Sequence, residues 1–129
     1  MRIIKFRGKD IETGEWIYGD LIQRMGYMPS IMYPYESSGK VCYCECAVKR
    51  ETVGQFTGLY DVNGKEIYEG DILDFNGIII EVCFVRGVFA LLCNGDLDEE
   101  LCGDCRTDLF AKIIGNIYDN PELLKGGKE

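Results

Sequence analysis

Asp71-Ile72-Leu73-Asp74-Phe75-Asn76-Gly77-Ile78-Ile79-Ile80-Glu81-Val82-Cys83-Phe84-Val85-Arg86-Gly87-Val88-Phe89-Ala90-Leu91-Leu92-Cys93 is the stretch that decides the fold. Runs rich in β-branched and aromatic residues alternate there with the dipeptides Asn76-Gly77 and Arg86-Gly87. Such runs suit a pleated, half-buried surface. An Asn-Gly pair accepts the positive φ angles of a type I′ turn, which joins adjacent antiparallel strands. The segment therefore reads as a three-stranded meander. A helix of this length would need a 3.6-residue apolar repeat, and the Gly-containing turns interrupt any such repeat.

The same period of two extends outward in both directions. Downstream, Asn94-Gly95 offers a third turn of the same kind, and Leu109-Phe110-Ala111-Lys112-Ile113-Ile114-Gly115-Asn116-Ile117-Tyr118 reads as a returning strand. Beyond it, Asn120 is a candidate cap for a short helix with Pro121 at its first position, and residues 125–129 read as a flexible tail. Upstream, Glu66-Ile67-Tyr68 is a short strand after Asn63-Gly64. The opening residues 4–9 and Glu15–Ile22 form a hairpin about Thr13-Gly14. Val41–Val48 is a clear strand. Residues 25–35 carry Pro29 and Pro34, which cannot donate to a central ladder, so an edge strand or an irregular segment is expected there. The expected fold class is mostly β, α+β at the margin: a small antiparallel SH3-like barrel or sandwich of short strands with a short C-terminal helix. One domain over residues 1–124 is expected. A composition shift near residue 53 leaves subdomains 1–52 and 53–124 as the alternative.

Composition removes several function classes. The chain has 129 residues, 47% of them hydrophobic, and a net charge of −8 from 14 basic and 22 acidic side chains. An acidic chain lacks the cation clusters that release counterions from a phosphate backbone, so broad nucleic-acid binding is disfavoured, although a local patch can oppose the net charge. Histidine is absent, which excludes Ser-His and Cys-His catalytic pairs and His-containing zinc sites. No apolar run approaches the ~20 residues of a membrane span, and the first residues lack the apolar core of a signal peptide. Seven cysteines, an odd number, then point to reduced thiols in a cytoplasm.

The segment Thr52-Val53-Gly54-Gln55-Phe56-Thr57-Gly58-Leu59-Tyr60-Asp61-Val62-Asn63-Gly64-Lys65-Glu66-Ile67-Tyr68-Glu69-Gly70-Asp71-Ile72 resembles the central signature of the YopX family of small phage and prophage proteins. Ile4-Lys5-Phe6-Arg7 with Trp16-Ile17-Tyr18-Gly19 resembles that family's N-terminal hairpin. Ile114-Gly115-Asn116-Ile117-Tyr118-Asp119-Asn120-Pro121-Glu122-Leu123-Leu124 resembles its C-terminal signature. The likeness runs from residue 3 to 124 and leaves out the cysteine strand 41–48 and the acidic insertion 94–106. It implies a mobile-element origin and a bacterial host cytoplasm, and it supplies no activity. Gly54, Gly58, Gly70 and Gly115 read as turn or bulge positions, so the signature is expected to be architectural.

Four candidate sites come from the residues themselves. Cys42, Cys44 and Cys46 point to one face of a strand and, with Cys102-Gly103-Asp104-Cys105, are zinc candidates. Steps of ~6.6 Å along an extended strand keep three such thiols from one ion, so packing is favoured and neither metal nor cofactor is expected. The acidic stretch Asn94–Asp104 reads as a solvated loop, because an EF-hand counted from Asp96 or from Asp61 puts the wrong residues in the glycine position. Lys5, Arg7 and Lys9 share a face, offering either a small phosphate patch or lysines guarding an edge strand. Met28, Met32, Tyr33 and Tyr35 belong to a Met/Tyr-rich segment of the kind enriched in interface cores.

The expected function is that of a non-enzymatic accessory protein that binds a protein partner, itself as a homo-oligomer or another host or phage protein. A nucleic-acid-associated or phosphate-mimicking binder is the second reading. A hydrolase using metal-bound carboxylates is the third, weakened by the missing histidine.

Overall fold

The structure is a computed structural model that describes residues 1–93, 96–100 and 105–126, with only the backbone of 96–100, 125 and 126. It is mostly antiparallel β, as the turn pattern predicts. Its strands form two sheets and neither closes into a barrel. Two compact units divide the chain, Met1–Gln55 and Phe56–Glu129.

The first unit contains β1 (Phe6–Lys9), β2 (Trp16–Ile22), β3 (Ser30–Ser37) and β4 (Lys40–Ala47), laid out in the order β4-β3-β2-β1. The start of β5 (Gly54–Tyr60) pairs with β1 through Phe6↔Gln55 and Arg7↔Gly54. Asp10 shapes the first turn: its carboxylate accepts the Glu12 N–H at 2.8 Å, and its carbonyl accepts the Gly14 N–H at 2.9 Å. Ser38 (φ 54°) and Gly39 (φ 77°) both have the positive φ that a tight β3–β4 turn requires. Ile31 and Val48 are fully buried, and Val48 lies so close over Gly8 that an added Cβ would come within 2.9 Å of it. Thr52 ties β1 to the single helical turn Arg50–Thr52 that leads into β5, accepting the Lys9 N–H at 2.9 Å and donating to the Lys49 carbonyl at 2.6 Å.

Of the two forms expected for residues 25–35, residues 25–29 take the irregular one, whereas residues 30–35 belong to β3, which is not an edge strand. β3 is flanked on both sides, by β2 and β4. Pro34 nevertheless avoids a position that needs a donor. Pairing with β2 ends at Asp20↔Met32, whereas β4 pairs all the way from Ser30↔Ala47 to Ser37↔Lys40. Pro34 therefore sits beyond the last β2 pair, where a missing donor is tolerated.

The second unit pairs the rest of β5 with β6 (Glu66–Tyr68) and builds a five-stranded sheet. That sheet has β7 (Asp71–Phe75), β8 (Ile78–Val85), β9 (Val88–Cys93), β10 (Asp96–Glu100) and β11 (Ala111–Asn116) in the order β10-β9-β8-β7-β11. Ile67, Leu73, Ile80, Val82, Leu91 and Ala111 form its core. Asn76-Gly77 and Arg86-Gly87 have positive φ at both residues and make the two turns expected of them. At Asn63-Gly64 only Gly64 does, so this turn departs from type I′; the Asp61 carboxylate closes it instead, accepting the Asn63 and Lys65 N–H groups at 2.9 Å each. Asn94-Gly95 lies outside the described residues.

The acidic stretch also departs from expectation. Asp96–Glu100 is an outer strand paired with β9, with a register shift between Leu97 and Glu99. Among the described residues β10 has a partner on one side only, β9, and ends the sheet there. A short helix α1 (Thr107–Phe110) precedes β11, and α2 (Glu122–Gly126) extends two residues into the expected tail, of which 127–129 lie outside the described residues. Asn120 stands just before α2, as expected of a cap candidate. Its amide oxygen accepts the Asn116 N–H at 3.2 Å, and its main-chain carbonyl accepts the Leu123 N–H.

Signature glycines explain themselves in this frame. Gly58 (φ 89°) lies within the register shift of β5 against β6, and Gly70 (φ 96°) makes the corner that leads from β6 into β7. At that corner the Asp71 carboxylate accepts the Tyr68 N–H at 2.7 Å, while Gly70 exchanges backbone bonds with Val82 and Ile117.

Candidate functional site

The ribbon formed by β3 and β4 concentrates the chemistry that the sequence singled out. Residues directly opposite one another share a face of an antiparallel pair. Tyr33↔Cys44, Tyr35↔Cys42 and Ile31↔Cys46 thus build one face, and Met32↔Glu45, Pro34↔Tyr43 and Glu36↔Val41 the other.

On the first face the Cys44 and Cys46 sulfurs lie 3.6 Å apart. Tyr33 lies directly across the ribbon from Cys44, and interaction with that thiol first, then with Cys46, pushes its pKa up to about 12. Burial, then the neighbouring Cys44, pushes the Cys46 thiol up. Cys42 is half-buried farther along the strand. Among the described residues, no three Cys, His, Asp or Glu side chains converge as a metal cluster. Cys105 is half-buried in the other unit, and Cys102 lies outside the described residues.

On the second face the Glu45 carboxylate accepts hydrogen bonds from the Arg24 guanidinium at 2.5 Å and the Ser30 hydroxyl at 2.6 Å. The Arg24 hydrogen bond, followed by that of Ser30, draws the Glu45 carboxyl down to about 2. A carboxyl depressed on folding contributes stability above its unfolded pKa and loses it as pH falls through the folded one. The thermal midpoint should therefore drop between about pH 4.5 and pH 2. Glu45→Gln should remove that part of the acid slope; equal slopes for the two proteins over that window would contradict it. The effect is small, because the pair is exposed to solvent.

Of the three basic residues near the start, Arg7 and Lys9 are engaged with an aromatic ring. Arg7 is only 5% exposed, and its guanidinium carbon lies 4.6 Å from the centroid of the Trp16 ring. Lys9 approaches the same ring at 5.5 Å. Lys9 pairs directly with Trp16 across β1 and β2, and Arg7 with Tyr18. Both cations thus meet an aromatic face, an arrangement worth roughly 0.5–2 kcal/mol, and their side chains are committed to the hairpin. Counting the register back from Thr13-Gly14 would have found this contact.

Of the four interface candidates, Met28 and Tyr35 are exposed, whereas Met32 and Tyr33 are half-buried in β3. Val41 and Tyr43 escaped notice in the sequence, although they are 62% and 66% exposed. Alternation with the three cysteines was the signal: whatever face the thiols take, Val41 and Tyr43 take the opposite one.

The family profile described as YopX protein matches residues 5–125. The chain belongs to the YopX family. The ordered blocks noted in the sequence thus fall in a single match over nearly the whole chain. A solved structure similar to this YopX chain is that of protein EF1440 from Enterococcus faecalis, at 27% identity. The two align over 96% of this chain and 99% of that one with a TM-score of 0.64. No curated protein matches. Among the described residues, no helix is long and apolar enough to cross a membrane.

Proposed function

We propose that this YopX chain is a non-enzymatic interaction module, prophage-encoded and working in a bacterial cytoplasm, that docks a protein partner through the β3–β4 ribbon. The partner is a second copy or another host or phage protein. One observation carries the reading: β4 is the outer strand of its sheet and presents Val41 and Tyr43, both mostly exposed, on one face. An outer strand leaves a row of backbone donors and acceptors open to pairing, and aromatic side chains beside it supply specificity. Tyr35 adds a third exposed apolar side chain on the ribbon. The architectural roles of Gly58, Gly70 and Asp71 further support a scaffold over a catalyst.

The test is a Tyr35→Ser/Tyr43→Ser double variant, compared with the unaltered chain by native mass spectrometry and by co-purification from bacterial cytosol. Loss of the assembly or of the retained partner, with an unchanged circular dichroism spectrum, is the expected result. Unchanged association overturns the role of the ribbon. The nucleic-acid reading draws less support, since Arg7 and Lys9 are engaged with Trp16. A salt titration separates the two, because phosphate contacts lose affinity steeply as salt rises.

A further inference from the structure

We propose that Cys44 and Cys46 form a two-thiolate chelate for a soft cation of the Zn2+/Cd2+ class, with Tyr33 beside them across the ribbon. Geometry favours this over the alternatives. Thiolates bind such ions at about 2.3 Å, and half of the 3.6 Å sulfur separation divided by that length is the sine of half the S–metal–S angle. The angle comes out at about 103°, close to tetrahedral, so the two sulfurs accept an ion with almost no rearrangement.

Oxidation to a disulfide fits less well. Residues two apart on an extended strand have Cα atoms about 6.7 Å apart, at the long limit of disulfide geometry. The sulfurs would also have to close to about 2.05 Å, which an intact β4 ladder resists. Cys42 is one further step along the strand, beyond reach of the same ion. The ion's other positions are left to water or to a small exogenous thiol.

Tyr33 is the cross-strand partner of Cys44, which places it beside the two sulfurs as an outer neighbour of the site. Loading the site breaks two S–H bonds and forms two S–metal bonds, with the protons passing to solvent and no change of oxidation state. Only sequence-adjacent β3 and β4 contribute, so the site needs no other part of the chain.

The test uses the full chain, reduced and free of chelator, with Cd2+ as the probe and alkylation by iodoacetamide read by mass spectrometry. At an ion concentration ten times the dissociation constant, Cys44 and Cys46 should alkylate about tenfold more slowly. Cys42, Cys83 and Cys93 should keep their rates. Cys46→Ser should abolish the protection of Cys44, whereas Cys42→Ser should preserve it. Equal alkylation rates with and without Cd2+ overturn the proposal, as does protection spread evenly over Cys42, Cys44, Cys46, Cys83 and Cys93. If the serine variant fails to fold, the rate ratio in the unaltered chain decides by itself.

Discussion

Asp61→Ala is expected to destabilise the protein by about 4 kcal/mol, a large share of the 5–15 kcal/mol that holds a typical domain together. Asp61 is 2% exposed, and its carboxylate accepts three backbone N–H groups. Oδ1 takes those of Asn63 and Lys65 at 2.9 Å each, and Oδ2 takes that of Ile113 at 3.1 Å. Its own main chain bonds to Lys65 and Gly64. One side chain therefore closes the β5–β6 turn and anchors β11, a strand that lies 52 residues away in sequence. A hydrogen bond to a charged acceptor is worth roughly 1.5–3 kcal/mol, and the three act as one unit, so the sum is not additive. Alanine would leave three donors short of a partner, which water only partly replaces.

Asp61→Asn separates the two halves of the effect. Its single amide oxygen can still serve Asn63 and Lys65, while its NH2 group would meet the Ile113 N–H donor to donor. Asparagine should thus cost about half as much as alanine, roughly 2 kcal/mol. Urea unfolding with an unchanged m-value measures both. A neutral asparagine variant would show that the Ile113 bond contributes nothing, and a neutral alanine variant would remove the anchor altogether.

Asp61 also shows where sequence reading stops. The turn at Asn63-Gly64 was legible as a turn, but its closure depends on a carboxylate whose third partner no local pattern reveals. Asn76-Gly77 and Arg86-Gly87 were fully legible because their positive φ angles are set by two adjacent residues alone. The acidic run was misread for a related reason. Charge density argued for a loop, while the pairing of Asp96–Glu100 with β9 depends on that strand having an open side. In the candidate site, the common face of Cys42, Cys44 and Cys46 followed from alternation. The meeting of Tyr33 with Cys44 needed the β3–β4 register, which the Ser38-Gly39 turn sets and composition does not.

Gly19→Ala is the substitution expected to damage the first unit most, at about 3 kcal/mol. Gly19 closes the Trp16-Ile17-Tyr18-Gly19 block of the family signature, and the reason for glycine there is contact, not conformation. A Cβ at Gly19 would stand 2.2 Å from the Met32 carbonyl oxygen and 3.0 Å from its carbon. These are backbone atoms of β3 and cannot swing aside as a side chain would. To admit the methyl group, β2 and β3 must part where Asp20↔Met32 and Leu21↔Ile31 hold them, and those are two of the three pairs that hold β3 to β2. Gly39→Ala makes the control: Gly39 has open space around it and only its φ of 77° to oppose a side chain, a cost of about 1–2 kcal/mol. Thermal unfolding of the two variants should rank Gly19→Ala as the more damaging. The same variant should also lose partner binding, because the ribbon that carries Val41 and Tyr43 is tethered to the sheet by those pairs. Equal melting of Gly19→Ala and the unaltered chain would mean that β2 and β3 can separate at no cost, and the signature glycine would then need another explanation.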